Sequence, residues 1–518
     1  MTKGLGTAAL VSLILAACVQ IVHAQSFDEL PLDRWKKLRE NERYQLQIAE
    51  KYYRDKDWKV AVAEYEKFLT LYEKSDGAPY AQLKWSLAQV QLKKHNTAIK
   101  EGFQSVIDYW PESPEAQTAA FYLGHTYRAM GQTAKAKTAY KAVLTKFADS
   151  PAAAHAIAEL ADVASQEKDA AGRLAMLKKL TFEFPRTPPT NSVCIQAARQ
   201  LAVIDIESSS TDEAVKALAT TCAPAELPGQ VIAYSRDPLS RLASVKESGS
   251  KAQKSAEGIA AYLRTTLPPN PQSDADKAAY RLIGYGIAEV LALGRVDDKV
   301  ADAYAAVDKT LGASDETLGR LAAFYKSRMK FDEARGTYRR YADKFEGQGL
   351  VAASYREQGQ YDGAVDAYRQ LVAQDAARAV RWKSELATTY RQAKKYAEAV
   401  AVYAELIAED SANQNRWRWE LATTHRDAGQ YRESIAHYRQ CDNFPENFKQ
   451  MAACHRQLKD YNEAVLLYNQ IVGADANSAP WALLQIGYTR EEAGQKEPAI
   501  QTFQQAVSYT HLTLPTKA

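Results

Sequence analysis

Residues that carry chemistry are sparse in this chain. Only 8 His occur among 518 residues, and they are scattered. There is no His-Glu-x-x-His and no Cys-x-x-Cys, so the strong metal-site signatures are missing. Glycine-rich phosphate loops are missing too. The closest approach, Gly347-Gln348-Gly349, reads as a short linker between helical hairpins. Charge of one sign is not in excess, with 66 Lys+Arg against 63 Asp+Glu. The overall balance therefore gives no sign of a polyanionic partner such as nucleic acid. Beyond residue 22 no apolar run approaches the roughly 18 residues that a membrane span needs. Period-two alternation is absent as well, which points to an all-α chain. No catalytic residue, metal ligand or cofactor site is assigned, and an enzyme is not expected.

What is plentiful is tyrosine, 30 against 13 Phe. That bias is odd for an ordinary core but natural for a repeat with Tyr at a fixed place.

The amino terminus has the features of a targeting segment. Lys3 supplies a positive start, Ala8 to Val22 is apolar, and Val22-His23-Ala24 forms a small-residue cleavage site before Gln25. A second processing route fits the same stretch. Leu15-Ala16-Ala17-Cys18 looks like a bacterial lipobox, which would leave a lipid anchor on Cys18. Both routes imply export, to the periplasm or the outer membrane. Four cysteines follow, in a compartment where disulfides persist. Cys194 is expected to open one helix and Cys222 to end the next, which would set them side by side in an antiparallel hairpin. Cys441 and Cys454 are offset along their helices. The other reading is four buried thiols.

From Glu316 to Val507 the chain repeats. Small residues open a second helix at Ala334, Ala364, Ala399, Ser434, Ala464 and Ala499, spaced 30, 35, 35, 30 and 35 residues apart. The first three anchors recur 100 residues later, so a three-hairpin block is present twice. A period near 34 is the mark of a helical solenoid. With each anchor counted as position 20, position 8 is Ala322, Ala352, Ala387, Ala422, Ala452 and Gly487. Position 24 is Tyr338, Tyr368, Tyr403, Tyr438, Tyr468 and Phe503. Position 11 is Tyr325, Tyr355, Tyr390, His425, His455 and Arg490, so the two His stand in a structural Tyr slot. The same phase returns at Ala49, Tyr52 and Tyr65, and at Gly124, Tyr127 and Tyr140. Positions 4, 7, 8 and 11 make one helical stripe, and small residues at 8 and 20 let the two helices approach closely. A lone hairpin cannot bury that stripe, so stability needs stacked neighbours.

This pattern resembles the tetratricopeptide repeat, a family of 34-residue helix pairs. The resemblance implies a right-handed superhelix that binds protein partners in a concave groove. The family's Pro at position 32 is mostly missing in the carboxyl half, and two units are four residues short. In the amino half, Tyr109-Trp110-Pro111-Glu112-Ser113-Pro114 and Phe147-Ala148-Asp149-Ser150-Pro151 resemble the aromatic-Pro-x-Ser-Pro junctions of bacterial envelope repeat proteins. Those include outer-membrane assembly lipoproteins and the cell-division coordinator that works with the Tol–Pal system. The likeness covers about 150 residues.

The expected organisation is a signal peptide at 1–24, a linker and helix at 25–43, and repeat-like hairpins at 44–223. A helical bridging segment at 224–315, which does not fit the Ala/Tyr template, would join them to the six-repeat array at 316–507. The tail 508–518 fits neither a repeat nor a capping helix. It looks like translated adapter sequence, and the native chain is expected to continue beyond it.

In this family positions 2, 5, 9 and 12 line the concave face. Position 12 reads Lys326, Arg356, Arg391, Arg426 and Arg456 before breaking at Glu491. Arg381 and Arg416 join at position 2, and Trp419 at position 5. Among the position-12 cations only Arg456 has an acidic residue three or four positions away, so the ladder is read as a groove for an extended acidic peptide. The other reading is an ion-paired row between repeats, worth little. The Asn that the family's carboxylate clamp wants at position 9 is absent, since Ala353, Thr388, Thr423 and Ala453 stand there. The expected function is an exported protein-binding scaffold of the cell envelope. The alternative is a glycan- or peptidoglycan-binding superhelix, which would need exposed aromatics among Trp382, Trp417, Trp419 and Trp481.

Overall fold

The computed structural model describes the backbone of residues 28–513 and the side chains through Val507. The expected signal peptide, Cys18 and the end of the tail lie outside the described residues. The chain divides into two compact units, one ending at Val307 and one beginning at Asp308. All regular structure in the described residues is helical.

One local device recurs at the turns. The eight non-glycine residues with positive φ, together with Gly131, Gly359, Gly429 and Gly494, each stand five residues before a second helix's anchor position. Each closes a helix C-terminus with a left-handed residue. At Lys394, for example, the next N–H reaches back to the Tyr390 carbonyl at 2.8 Å, while its own reaches the Arg391 carbonyl at 3.0 Å. The same pair of bonds recurs at Gly359 and Gly429. These left-handed turns set the phase of every repeat hairpin.

The rule finds a hairpin where the small-anchor template fails. Helices Asp274–Leu293 and Val300–Leu311 flank Arg295, whose φ is 63°. Ala288 then stands at position 8, Val300 at position 20 and Tyr304 at position 24, and all three are buried. The template is therefore present in the 224–315 segment, with a β-branched anchor in place of a small one. Gly284, on the first of these helices, makes room for Val307 further along the second, since a Cβ on the glycine would lie 2.4 Å from the Val307 side chain. Helices Leu227–Ser244 and Gly249–Thr265 precede it without a left-handed turn between them. In the first unit they follow the hairpins that begin at helices Glu40–Arg54 and Trp58–Leu71.

In the second unit the close helix contact is as the small residues require. Ala352, Ala364, Ala387, Ala399, Ala422 and Ala464 are fully buried, and Tyr368, Tyr403, Tyr438 and Tyr468 are packed beside them. Where position 8 is Gly the aromatic takes its space. A Cβ on Gly487 would sit 2.3 Å from the Phe503 ring, and one on Gly124 would sit 2.6 Å from Tyr140. The two short repeats lose residues at the end of the second helix. Phe331–Tyr338 and Tyr431–Tyr438 are 8 residues long, against 14 in Tyr361–Gln374 and Tyr396–Glu409. Tyr341 and Cys441, just past the shortened helices, turn in and are buried.

Two sequence readings need correcting. Gly347 and Gly349 are not in a linker but in helix Lys344–Glu357. A Cβ would meet the Tyr338 carbonyl at 2.3 Å from the first and the Trp382 ring at 2.7 Å from the second. The start of the tail, expected to fit neither a repeat nor a capping helix, is also helical in its backbone, as the last helix runs from Lys496 to Thr513.

Candidate functional site

The position-12 cations stand in the last turn of each first helix, and the structure shows where they reach. Arg356 donates to Glu385 at 2.7 Å, Arg391 to Glu420 at 2.7 Å, and Arg426 to Gln450 at 2.5 Å. Arg456 donates to Gln485 at 3.1 Å and also pairs with Glu492. Each acceptor at Glu385, Glu420, Gln450 and Gln485 is position 6 of the following repeat. Lys326, whose position-6 neighbour is Leu350, pairs with Glu357 instead at 2.5 Å. The first unit uses the same link, from Arg128 to Glu159. The ladder is therefore a row of bonds between repeats. Searching three and four residues along one helix could not reveal it, since the partner lies a whole repeat away. All five cations remain partly exposed. Each link stabilises by an amount on the order of 1 kcal/mol or less.

The position-2 arginines differ from each other. Arg381 forks onto Glu346 at 2.6 and 3.0 Å and lies over the Trp382 ring at 4.5 Å. Arg416 lies over Trp417 at 4.6 Å, stays exposed, and makes no ion pair among the described residues. Trp419, on the same helix Gln414–Asp427, is half-buried edge-on to Tyr438 at 4.8 Å.

Two of the proposed sugar-stacking aromatics are core residues. Trp382 is 1% exposed and Trp417 3%. Each indole N–H donates at 2.9 Å to an aspartate seven residues earlier, Asp375 and Asp410. Sequence reading missed this Asp-to-Trp link, although the repeated seven-residue spacing was visible. Arg378 adds to it by reaching both Asp375 at 2.5 Å and Asp343 at 2.7 Å. Asp343 caps helix Lys344–Glu357, and the Arg378 guanidinium holds its carboxyl down at about 2. Trp481 remains open, with the Lys449 ammonium 4.9 Å over its ring.

The expected Cys194–Cys222 bridge is not formed, and all four described cysteines are free. Helix Pro188–Glu207 starts six residues before Cys194, which is therefore inside it and fully buried. Cys222 lies beyond the end of helix Thr211–Ala219, and its thiol turns back to the Leu218 carbonyl at 3.7 Å. Among the described residues no group of three His, Cys, Asp or Glu could hold a metal ion, and no helix is long and apolar enough to cross a membrane.

The inner face of the first unit carries an arrangement that the sequence reading did not isolate. The link from position 12 to position 6 is broken there. Tyr53 stands at position 12 of the first hairpin, and Lys84 at position 6 of the second. The buried Lys84 ammonium lies 4.8 Å over the Tyr53 ring and 5.6 Å over Tyr80. The Tyr65 and Tyr80 hydroxyls both donate to Glu50, at 2.6 and 2.8 Å. Burial and the Glu50 charge push the Tyr80 hydroxyl well above its ordinary range. Residues 28–34 lie across this face. Asp28 approaches Lys84 at 3.5 Å, and Arg34 reaches Glu115 at 2.5 Å.

Comparison with known proteins agrees with the hairpin pattern. Residues 352–415 match one tetratricopeptide-repeat family model, and residues 118–150 and 481–509 match a second. The chain thus carries tetratricopeptide repeats in both units. No curated protein sequence matches it. Among solved structures, the chain is similar to nearly identical TPR-like repeats from Podosopora anserina, at 20% identity over 33% of this chain and 98% of that one, with a TM-score of 0.27. It is similar to the APC/C hetero-tetramer Cut9-Hcn1 at 13% identity, covering 93% and 97% of the two chains, with a TM-score of 0.28. It is also similar to yeast Tom70 at 14% identity, covering 91% and 93%, with a TM-score of 0.27.

Proposed function

We propose that this protein is an exported scaffold of the bacterial cell envelope that binds other proteins along the inner faces of its hairpins. The observation that carries the binding role is the division of labour within each repeat. Positions 8, 20 and 24 are consumed by the core, while the inner row holds charged and aromatic side chains that stay accessible. Export rests on the Lys3, Ala8–Val22 and Val22-His23-Ala24 pattern. The envelope setting rests on the aromatic-Pro-x-Ser-Pro junctions.

Within the second unit, helix Gln414–Asp427 is the best-supported contact point. Arg416 is exposed, Trp419 is half-buried, and the repeat-to-repeat acceptor of Arg426 is the neutral Gln450. An acidic partner can approach there without displacing a Glu of the next repeat, whereas at Arg356 and Arg391 it competes with Glu385 and Glu420. Crosslinking in the native envelope, followed by mass spectrometry, tests the reading. Arg416→Glu is expected to lose the crosslinked partner while keeping the thermal midpoint. A cytoplasmic location by fractionation, or a partner retained by that variant, overturns it.

A further inference from the structure

We propose that the inner face of the first unit is a second peptide site, occupied in this chain by its own residues 28–34. Its partner is an extended protein segment that presents a carboxylate and then a cation with the spacing of Asp28 and Arg34. The inference rests on the protein-binding reading and gives the site a chemical specificity.

The first support is the break in the repeat-to-repeat row. At several other junctions position 6 supplies an acceptor to the preceding repeat, as Glu159, Glu385 and Glu420 do. Lys84 inverts the sign at that position, and the residue that faces it is Tyr53. Among the described residues its one ion pair is to Asp28, which is outside the repeats. A buried ammonium is costly unless it is paired, so this face requires a carboxylate from elsewhere.

The second support lies one repeat further on. Glu115 is 4% exposed, at the start of helix Pro114–Ala129, and its ion pair is to Arg34. Two buried charges of opposite sign, on successive repeats, are thus both neutralised by the same short segment. The pair of charges defines an orientation as well as a chemistry. A bound segment must run with its acid over Lys84 and its base over Glu115.

The third support is that the segment is held loosely at its Asp28 end, although Arg34 forks onto Glu115 at 2.5 and 3.3 Å and Leu30 and Trp35 pack against the adjoining core. The Asp28–Lys84 separation of 3.5 Å is longer than the roughly 2.7–2.9 Å of a good charge-assisted bond. The other Asp28 oxygen is buried without a hydrogen-bond partner. Helix Leu32–Lys37 buries none of its residues, and Leu32 is 64% exposed. The Asp28 end keeps its place largely by being tethered to the firmly held Arg34 end, which acts like a local concentration roughly in the millimolar range. A partner with better geometry at Lys84 can displace it.

The test uses the full chain and a fluorescein-labelled synthetic peptide with the sequence of residues 27–37, read by anisotropy. The variant Asp28→Ala with Arg34→Ala frees the face, and it is expected to bind the peptide at least tenfold more tightly than wild type. Adding Lys84→Glu is expected to abolish that gain. Should Lys84→Glu not fold, Glu115→Arg in the freed chain, assayed with a peptide carrying Arg34→Glu, gives the same information by charge exchange. Equal affinity of wild type and freed chain, or tight binding that survives Lys84→Glu, overturns the proposal. Absence of any envelope crosslink from the wild-type chain, with peptide binding intact, would instead count against the scaffold reading alone.

Discussion

Single residues decide how closely the helices of this protein approach. Gly349 is the clearest case, because the Trp382 ring occupies the space of its missing side chain at 2.7 Å. Gly349→Ala is expected to cost about 1–3 kcal/mol through overpacking. Gly336 has nothing within 4 Å of a Cβ and sits inside helix Phe331–Tyr338. Gly336→Ala is expected to raise stability by about 0.5–1 kcal/mol by restoring helix propensity. Urea titration of the two variants checks both signs. His437 offers a pH test. It stacks on His425 at 5.3 Å, and burial, His425 and Arg418 all lower its pKa below the ordinary histidine value. The folded state thus favours the neutral ring. The stability it contributes is present above about pH 6.5 and is lost as pH falls through the lowered folded value. The thermal midpoint is expected to drop between pH 7.5 and 5.5, and to drop less in His437→Gln.

At the scale of the element, the unit of construction is a hairpin plus its link to the next hairpin. Much of the hairpin was legible. Ala387, Ala399 and Tyr403 stand in sequence at the spacing that brings them together across one turn, so local pattern and contact coincide. The link was not legible by the same means. Arg391 and Glu420 are 29 residues apart and meet only when two hairpins stack. Reversing either charge alone is expected to lower stability. The double exchange Arg391→Glu with Glu420→Arg is expected to recover about 0.5–1 kcal/mol, as a double-mutant cycle on thermal or urea unfolding would show. No recovery would mean that the row is held by packing rather than charge. The Val300 hairpin illustrates the other failure. A template demanding a small anchor passed over it, while its left-handed Arg295 marks it as one of the series.

At the scale of the molecule, each repeat depends chiefly on its neighbours. A lesion in one hairpin should therefore weaken protection locally. In Gly349→Ala, hydrogen exchange is expected to speed up across residues 344–409 and to stay unchanged across 40–219. Uniform loss of protection would show that the chain opens as one cooperative body instead.

The sequence by itself determined the helical hairpin, its phase and the small-to-aromatic contact inside it. Those features depend on side chains a few residues apart on one helix or across one turn, where covalent connectivity sets the geometry. The tertiary structure alone decided the fate of the charges. Stacking gives each ladder cation an acceptor one repeat away, folds Trp382 and Trp417 into the core, and leaves Arg416 exposed. It also lays Asp28 and Arg34 across the first unit, where Lys84 and Glu115 lie 56 and 81 residues beyond their partners. A charge takes its meaning from what surrounds it within a few ångströms, and over such separations only the packed chain supplies those surroundings.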